Sequence, residues 1–220
     1  MIEEILPASI AWAEEFGDPP DVPLFPEEEA LISAAVEKRR REFTTGRSCA
    51  RRALAALGER PAPLLRGLRG APQWPPGIVG SITHCAGYRG AAAARDRDAV
   101  TIGLDAEPDQ PLPDQVLDTV SLPGERAMLR DLAAVPGASW DRLLFSAKES
   151  VYKAWFPLTG RWLGFHDARI DVNPADGTFQ ARLLVAGPVV GASVLDGFAG
   201  RWLARDGLIL TAITAAPAPG

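Results

Sequence analysis

The chain has 220 residues, a formal net charge of −5 and 47% hydrophobic residues. This length suffices for one substantial core or two small cores joined together. Its two cysteines exclude a disulfide scaffold and a cysteine-rich zinc site. No segment reaches the ~18 apolar residues of a membrane span, and the first sixteen residues carry acids where a secretory signal would carry basic residues. We therefore expect a cytoplasmic protein without a membrane partner.

The first half begins with a proline-rich entry that leads into helical patterns. Pro26 and the acids after it suit a first helical turn, and apolar spacing predicts a helix from Pro26 to about Glu42. A second helix is predicted from about Thr45 to Leu57, with Gly58 as its C-terminal stop. After a loop rich in Pro and Gly, small and β-branched residues predict three neighbouring strands, at Ile78–Thr83, Tyr88–Ala94 and Val100–Asp105.

Prolines at 108, 111 and 113 break the chain near its midpoint and predict a boundary between residues 1–108 and 109–220. Helical patterns follow at Leu122–Ala133 and from Trp140 to about Trp155. The last quarter predicts strands at Ala168–Val172, Thr178–Val185, Arg201–Ala204 and Leu208–Thr214. Each half thus offers helices and a small sheet, which predicts an α/β or α+β fold with two lobes of similar size.

Basic residues are distributed unevenly along the chain. Ten of them and only two acids lie between Lys38 and Arg69, so this segment carries +8 and the remainder carries −13. A basic segment within an acidic chain favours a compact polyanionic ligand over nucleic acid, whose binding domains are usually basic overall. For individual arginines, a solvated helix face is the alternative. The chain has only three lysines, and two of them, Lys148 and Lys153, are close neighbours. This suggests a chemical role for their ammonium groups, with chance as the alternative.

Three motifs could carry chemistry. Asp105 and Glu107 end an apolar strand at i, i+2 spacing, which places both carboxylates on one face, where they could hold Mg²⁺. A solvated strand end is the alternative. Glu149 and Lys153 are i, i+4 neighbours on a predicted helix, in the order that favours an ion pair. Such a pair could simply stabilise the helix. Alternatively, the carboxylate could be a metal ligand or a base, and the ammonium group could neutralise a phosphate.

The third motif is Gly80-Ser81-Ile82-Thr83-His84, where a predicted strand ends before a glycine turn. Its hydroxyls, backbone amides and imidazole suit phosphate oxygens, although a lone histidine is more often structural. The sequence contains no matched Cys/His spacing for zinc, no Gly-x-Ser-x-Gly nucleophile elbow, and no Walker or Rossmann glycine loop. A hydrolase triad is therefore disfavoured.

Taken in order, these motifs resemble those of the Sfp-type 4′-phosphopantetheinyl transferases, in particular the bacterial EntD-like branch. The resemblance covers roughly residues 38–165. It rests on Trp74-Pro75, Gly80 to His84, Gly103-Leu104-Asp105-Ala106-Glu107 and Phe145-Ser146-Ala147-Lys148-Glu149-x-x-x-Lys153, with the flanking segments Phe43–Arg51 and Phe156–Thr159.

The resemblance implies a pseudo-twofold fold of two lobes, with coenzyme A and Mg²⁺ (or Mn²⁺) bound between them. The enzyme would transfer 4′-phosphopantetheine from coenzyme A to a serine of an apo acyl or peptidyl carrier protein, acting as a monomer. By motif position it implies metal-binding carboxylates, catalytic residues and coenzyme-binding residues. The implied metal-binding carboxylates are Asp105, Glu107 and Glu149, and the implied catalytic residues are Glu149 and Lys153. The implied coenzyme-binding residues are Arg39, Arg47, Arg66, Ser81, Thr83, His84, Lys148 and Lys153.

Two other functions are compatible with the residues alone. A metal-dependent phosphohydrolase could use the same carboxylates on a nucleotide-like substrate. A polyanion binder without enzymatic activity could use the basic segment, although the low isoelectric point of about 5.2 and the lack of interleaved aromatic residues disfavour nucleic acid.

Overall fold

Two antiparallel sheets, each covered by one long helix, organise the chain. The computed structural model describes residues 1–113 and 115–217, so residues 114 and 218–220 of the predicted second half lie outside the described residues. The helices are α1 (Pro26–Leu31), α2 (Glu37–Ala56), α3 (Val116–Val120), α4 (Pro123–Leu132) and α5 (Trp140–Thr159). The strands are β1 (Ala11–Phe16), β2 (Ile78–Cys85), β3 (Tyr88–Arg95), β4 (Thr101–Pro108), β5 (Ala168–Asn173), β6 (Thr178–Leu183), β7 (Val189–Val190), β8 (Ser193–Val194), β9 (Gly197–Arg205) and β10 (Leu208–Ala215).

The first sheet has the strand order β1-β3-β2 and packs against α2. Its central strand is rich in alanine, and Ala91 and Ala93 are fully buried against Ala50 and Ala53 of the helix. Small side chains on both surfaces let the helix lie close to the sheet. As a result, α2 carries its basic residues past the end of β2, where His84 lies.

The second sheet has the strand order β4-β10-β9-β6-β5, and α5 packs across it. Its core contains the fully buried side chains of Trp155, Ile170, Phe179 and Ile213. A short hairpin of β7 and β8 lies outside this sheet. Within residues 1–113 and 115–217, no helix combines the length and the apolar character that crossing a membrane requires.

Gly103 explains how closely α5 approaches β4. A Cβ atom added at Gly103 would lie 1.9 Å from the carbonyl oxygen of Ser150 and 2.9 Å from the amide nitrogen of Ala154. Any side chain here would therefore push the helix away from the strand. The contact brings the end of β4, with Asp105 and Glu107, beside the middle of α5.

The mixed α/β fold class is confirmed, and the strands predicted in both halves form at nearly the predicted positions. The predicted helix from Pro26 to Glu42 is wrong, because α1 ends at Leu31 and the chain turns. Buried Ile32 accepts a hydrogen bond from Arg40 at its carbonyl oxygen (2.8 Å), and this contact stabilises the turn.

The second predicted helix begins at Thr45, whereas α2 already begins at Glu37 and continues through the Thr-Thr-Gly stretch. Packing overrides low local propensity there, since Gly46 lies against Ile82 of the sheet. Arg39 and Arg47 therefore share one helix.

Two further features differ from, or extend, the sequence expectations. Strand β1 was not predicted, because its sequence AWAEEF alternates only weakly; it forms by pairing with β3. Strand β4 lies within residues 1–108 but pairs with β10 along its whole length. The hydrogen-bonded sheets thus change over between β3 and β4, and the division at residues 108 and 109 stays a prediction.

Candidate active site

Asp105 is the best-held carboxylate of the predicted set. It lies on β4, is 5% exposed and forms an ion pair with Lys153 of α5, with its Oδ1 atom 2.7 Å from Nζ. Its Oδ2 atom accepts a hydrogen bond from the hydroxyl of Ser146 (2.9 Å), which in turn lies 2.9 Å from the hydroxyl of Thr211 on β10. Asp105 is thus fixed from both sides by groups on α5.

Lys153 therefore differs from its predicted pairing. The sequence favours an ion pair between Lys153 and Glu149, but within residues 1–113 and 115–217 no such pair forms. The ammonium group instead binds Asp105 and donates to the carbonyl oxygen of Leu104 (3.0 Å). Thr83 of β2 lies 3.4 Å from the same nitrogen. Lys153 thus connects α5 to the ends of β2 and β4.

Glu107 and Glu149 are carboxylates whose ionised forms are disfavoured. Burial raises the pKa of both groups above the ordinary value, and the neighbouring charge of Asp105 is the next cause in each case. Glu107 is partly neutralised by Arg142, whose Nη1 atom lies 2.9 Å from its Oε2 atom. Because the charge of Asp105 raises the pKa of both Glu107 and Glu149, the three acids lie close enough to repel one another.

Three converging carboxylates suit a hard cation such as Mg²⁺, which prefers carboxylate oxygens completed by water and substrate phosphates. Among the described residues, no three acidic, histidine or cysteine side chains are already arranged as a metal cluster. Lys153 and Arg142 balance two of the acids instead. The donor chemistry therefore fits the predicted metal, and Lys153 and Arg142 neutralise part of the negative charge of the set.

The cationic side of the site starts at the end of β2. The Nη1 atom of Arg39 lies 2.9 Å from Nε2 of His84, and Glu42 lies 3.8 Å from each of these two side chains. Burial lowers the pKa of His84, which favours the neutral imidazole. Because an arginine is always a donor, Nε2 of His84 acts as the acceptor. The structure thus brings Arg39 and His84 together.

Arg47 and Arg66 meet on the ring of Phe43. Their guanidinium carbons lie 4.5 Å and 5.2 Å from the ring centroid, within the range of cation–π contacts. Burial lowers the pKa of Arg47 to about 10; nearby Glu28 opposes this shift, and repulsion from the neighbouring arginines, with Arg66 first, adds to it. Several cations are thus held close together here, and an anionic ligand would relieve their repulsion.

Ser81 and Thr83 are placed differently from the arginines. The hydroxyl oxygen of Ser81 accepts a hydrogen bond from the backbone amide of Leu104 (3.0 Å), which ties β2 to β4. Thr83 is buried beside Asp105 and Lys153. Both side chains therefore join the two sheets at the site, and their predicted contacts with coenzyme phosphates stay a prediction.

Lys148 is held by protein partners, and its predicted role in binding coenzyme phosphates stays a prediction. Its side chain is 2% exposed and forms an ion pair with fully buried Glu125 (2.9 Å). It also donates to the carbonyl oxygens of Phe165 (2.6 Å) and Ala168 (2.9 Å). An ammonium group has three protons, and these three acceptors use all of them. Glu125 lies 23 residues away in the chain, so sequence spacing alone could not reveal this partner.

Sequence reasoning also missed Ser146, Thr211 and Arg142 as parts of the site. Ser146 lies within the Phe-Ser-Ala-Lys-Glu motif, so its presence in the motif was a usable signal. Arg142 lies one helical turn earlier and could have been considered as a counter-ion for Glu107. Thr211 carries no local signal, because only the pairing of β10 with β4 brings it near Asp105.

Two cavities adjoin these residues. A cavity of about 650 Å³ lies between β2 and the C-terminal part of α5, and its lining includes Trp74, Ser81, Tyr152 and Lys153. A smaller cavity of about 80 Å³ lies on the other side of Tyr152, beside Glu149. Tyr152 lines both cavities, so they are neighbours along α5.

Comparisons with known proteins identify the family of this chain. Residues 27–94 match the family model of the 4′-phosphopantetheinyl transferase N-terminal domain, and residues 101–191 match that of the 4′-phosphopantetheinyl transferase superfamily. The 4′-phosphopantetheinyl transferase Svp of Streptomyces mobaraensis is 60% identical, over 99% of this chain and 91% of that protein. The 4′-phosphopantetheinyl transferase PptT of Mycobacterium tuberculosis is 52% identical, over 97% of each chain.

Enterobactin synthase component D of Salmonella typhimurium is a more distant relative, 32% identical over 89% of this chain and 80% of that protein. The chain therefore belongs to the 4′-phosphopantetheinyl transferase superfamily. This confirms the predicted family and transferase class, and the Salmonella relative supports the link to the EntD-like branch.

Proposed function

We propose that this enzyme transfers 4′-phosphopantetheine from coenzyme A to a serine hydroxyl of an apo carrier protein, with Mg²⁺ as the preferred metal. The main observation in support is that cationic residues on α2 and β2 lie near the acids of the site. Thr83, which is next to His84 on β2, contacts both Asp105 and Lys153. Phosphoryl transfer depends chiefly on positioning and charge neutralisation, which such a site supplies.

In this proposal, the coenzyme phosphates bind on the cationic side of the site. The terminal nitrogens of Arg39, Arg47 and Arg66, together with His84, are the donors for the 3′-phosphate and the pyrophosphate. Burial is the main cause of the lowered pKa of Arg47, and repulsion from neighbouring arginines adds to it, which supports an anionic occupant. The pantetheine arm would pass Tyr152 towards the small cavity beside Glu149.

Asp105, Glu107 and Glu149 would hold the Mg²⁺ ion, which supplies charge neutralisation for the pyrophosphate when bound. The raised pKa of Glu149 suits a general base, because a base works best when its pKa lies near the operating pH. Glu149 would take the proton of the carrier serine while the serine oxygen forms a new bond to phosphorus.

The bond that breaks joins this phosphorus to the oxygen of the departing adenosine 3′,5′-bisphosphate. The ammonium group of Lys153 would neutralise that oxygen or give it a proton. Contacts of Lys153 with Asp105 and the Leu104 carbonyl hold the group at the point where both sheets meet. Its charge matters most in the transition state, which is where catalysis requires the strongest binding.

The carrier partner is proposed to be an acyl or peptidyl carrier domain that presents a reactive serine. The enzyme is proposed to act as a cytoplasmic monomer, without nucleic acid or a membrane as a partner.

Mass spectrometry of a purified apo carrier protein, incubated with enzyme, coenzyme A and Mg²⁺, tests the transfer. The carrier should gain one phosphopantetheine group on its serine, and a Ser→Ala carrier should gain none. EDTA should stop the reaction. Release of inorganic phosphate from coenzyme A without any carrier modification would instead identify a phosphohydrolase.

The role of the cationic cluster is tested with dephospho-coenzyme A, which lacks only the 3′-phosphate. Hydrogen bonds to charged groups contribute ~1.5–3 kcal/mol each. Two such bonds give about a hundredfold or greater preference for coenzyme A, since 1.4 kcal/mol is about tenfold. Arg47→Ala and His84→Ala should reduce this preference in calorimetric titrations. Equal affinity of the wild-type protein for the two compounds would assign the cations to another ligand.

A further inference from the structure

Glu28 is a buried carboxylate with no part in the chemistry proposed above. It lies on α1, its side chain is 0% exposed, and its Oε2 atom pairs with Nη1 of Arg51 at 2.7 Å. The same oxygen accepts a hydrogen bond from the backbone amide of Phe25 (3.1 Å). Its other oxygen, Oε1, accepts one from the backbone amide of Leu64 (2.9 Å). Burying a carboxylate is costly unless its ion pair and hydrogen bonds are all kept, so the position of Glu28 needs an explanation.

The contact with Leu64 connects Glu28 to the cationic cluster. While the amide of Leu64 donates to Glu28, its carbonyl oxygen accepts a hydrogen bond from Nε of Arg47 (2.8 Å). Both polar backbone atoms of Leu64 are therefore held by side chains. Arg47 uses Nε for this bond, and its guanidinium carbon lies 4.5 Å from the centroid of the Phe43 ring.

The same segment of chain also carries Arg66, which lies two residues after Leu64 and whose guanidinium carbon lies 5.2 Å from the centroid of the same Phe43 ring. Holding Leu64 in place thus sets the position of both arginines relative to one ring. Loss of the Glu28 contact would free the segment while leaving the arginines themselves present. The expected effect is weaker recognition of an anion, without a change at the acids on β4.

The second half contains a matching arrangement around Glu125. Glu28 and Glu125 each lie two positions after the proline that begins a short helix, and each accepts the amide of the residue before that proline. Each also accepts an amide from a distant segment and pairs with a cation on the long helix of its half. These partners are Leu64 and Arg51 for Glu28, and Ile170 and Lys148 for Glu125.

The two arrangements differ in what they hold. Glu125 fixes segment 165–170, beside the small cavity, whereas Glu28 fixes the segment next to Arg47 and Arg66. Glu125 therefore provides a matched control: it is equally buried and equally paired, but it lies away from the cationic cluster.

We propose that Glu28 is a positioning residue for recognition of the coenzyme 3′-phosphate, acting through Leu64 on Arg47 and Arg66. This inference rests on the proposed function of the arginine cluster. Glu28 does not touch the ligand itself. It fixes the backbone against which Arg47 is oriented, and its charge compensates Arg51 within the same buried region.

The test compares calorimetric affinities for coenzyme A and dephospho-coenzyme A, in EDTA and at fixed salt. In Glu28→Gln, the preference for coenzyme A should fall by about tenfold or more, equivalent to about 1.4 kcal/mol. The kcat at saturating coenzyme A and Mg²⁺ should change by less than about threefold, because Glu149 and Lys153 are untouched; KM for coenzyme A should rise. Glu125→Gln should lower the melting temperature comparably but leave the preference within about twofold.

Arg51→Lys provides a milder variant if Glu28→Gln fails to fold, since it weakens the hold on the Glu28 carboxylate and keeps the charge. It should reduce the preference to an intermediate value. If Arg47→Ala removes the preference while Glu28→Gln and Arg51→Lys retain it, the positioning role is wrong and the arginine site stands. If wild-type protein shows no preference, the arginine site fails, and the role of Glu28 fails with it.

Discussion

Replacing Lys148 by methionine separates a structural role from a coenzyme-binding role. The substitution keeps an unbranched side chain but removes the ammonium group that pairs with fully buried Glu125 and with the carbonyl oxygens of Phe165 and Ala168. Removing one partner of a buried ion pair typically costs about 3–5 kcal/mol, because the other charge is left uncompensated. Glu125 keeps its two backbone amide donors, so a loss near the lower bound of about 3 kcal/mol is expected here.

For a chain of this length, each 1 kcal/mol lowers the melting temperature by roughly 2–4 °C. Lys148→Met should therefore melt roughly 6–12 °C below wild type. Urea unfolding gives the free energy of unfolding directly, and coenzyme A titrations below the transition should give nearly the wild-type affinity.

A double variant, Lys148→Met with Glu125→Gln, provides the control. Neutralising the remaining charge should recover a large part of the lost stability, since a buried pair replaced as a whole is often close to neutral. The opposite pattern, with unchanged unfolding and a tenfold weaker affinity for coenzyme A, would refute the structural reasoning and restore the phosphate-binding role.

Three further substitutions probe the acids of the site. Asp105→Ala should cost about 3 kcal/mol in urea unfolding, because it strands the ammonium of Lys153, whereas a solvated strand-end acid would change stability by less than about 0.5 kcal/mol. Glu149→Gln should abolish transfer but raise the melting temperature of the metal-free protein at pH 7. Burial, and then Asp105, raise the pKa of Glu149 in the folded state, so its ionised form destabilises the fold above that pKa. The gain should shrink as the pH falls through the raised pKa towards the ordinary value of 4.5 and should vanish below it, and a lower melting temperature at pH 7 would contradict this sign. Arg142→Ala should raise the Mg²⁺ concentration for half-maximal turnover by about tenfold, because Arg142 orients Glu107 through one oxygen; an unchanged Mg²⁺ requirement would show that this contact is only structural.

The sequence predicted the elements with strong local signals and missed those that depend on distant partners. The strands around Ser81 and Asp105 were foreseeable from β-branched residues and turns, and α5 from its long apolar periodicity. The break after Leu31 was not foreseeable, because buried Ile32 and exposed Val36 occupy positions that also fit one continuous helix. Here the turn is stabilised by the side chain of Arg40, a contact that periodicity does not encode.

The same division applies to the candidate site. Motif spacing brought Asp105, Glu149 and Lys153 into one set, and the structure places Asp105 and Lys153 in contact. Motif spacing could not predict which acid pairs with which cation. The i, i+4 rule favoured Glu149 for Lys153, but the close approach of α5 to β4 at Gly103 offers Asp105 instead. The burial of Lys148 likewise follows from tertiary packing alone.

The changeover between the sheets at β4 indicates where this polypeptide could be divided. A cut in the turn at residues 96–98 would leave every ladder of both sheets within a single fragment, whereas a cut in the proline-rich stretch at 109–113 would separate β4 from its partner β10. The two fragments would still share a buried core in which Ile2 and Ala92 pack with Ile102 and Leu210. The first fragment would carry the arginines and His84, and the second would carry the acids and Lys153. Fused to two proteins that bind each other, the two fragments would form a split enzyme whose carrier labelling reports that encounter.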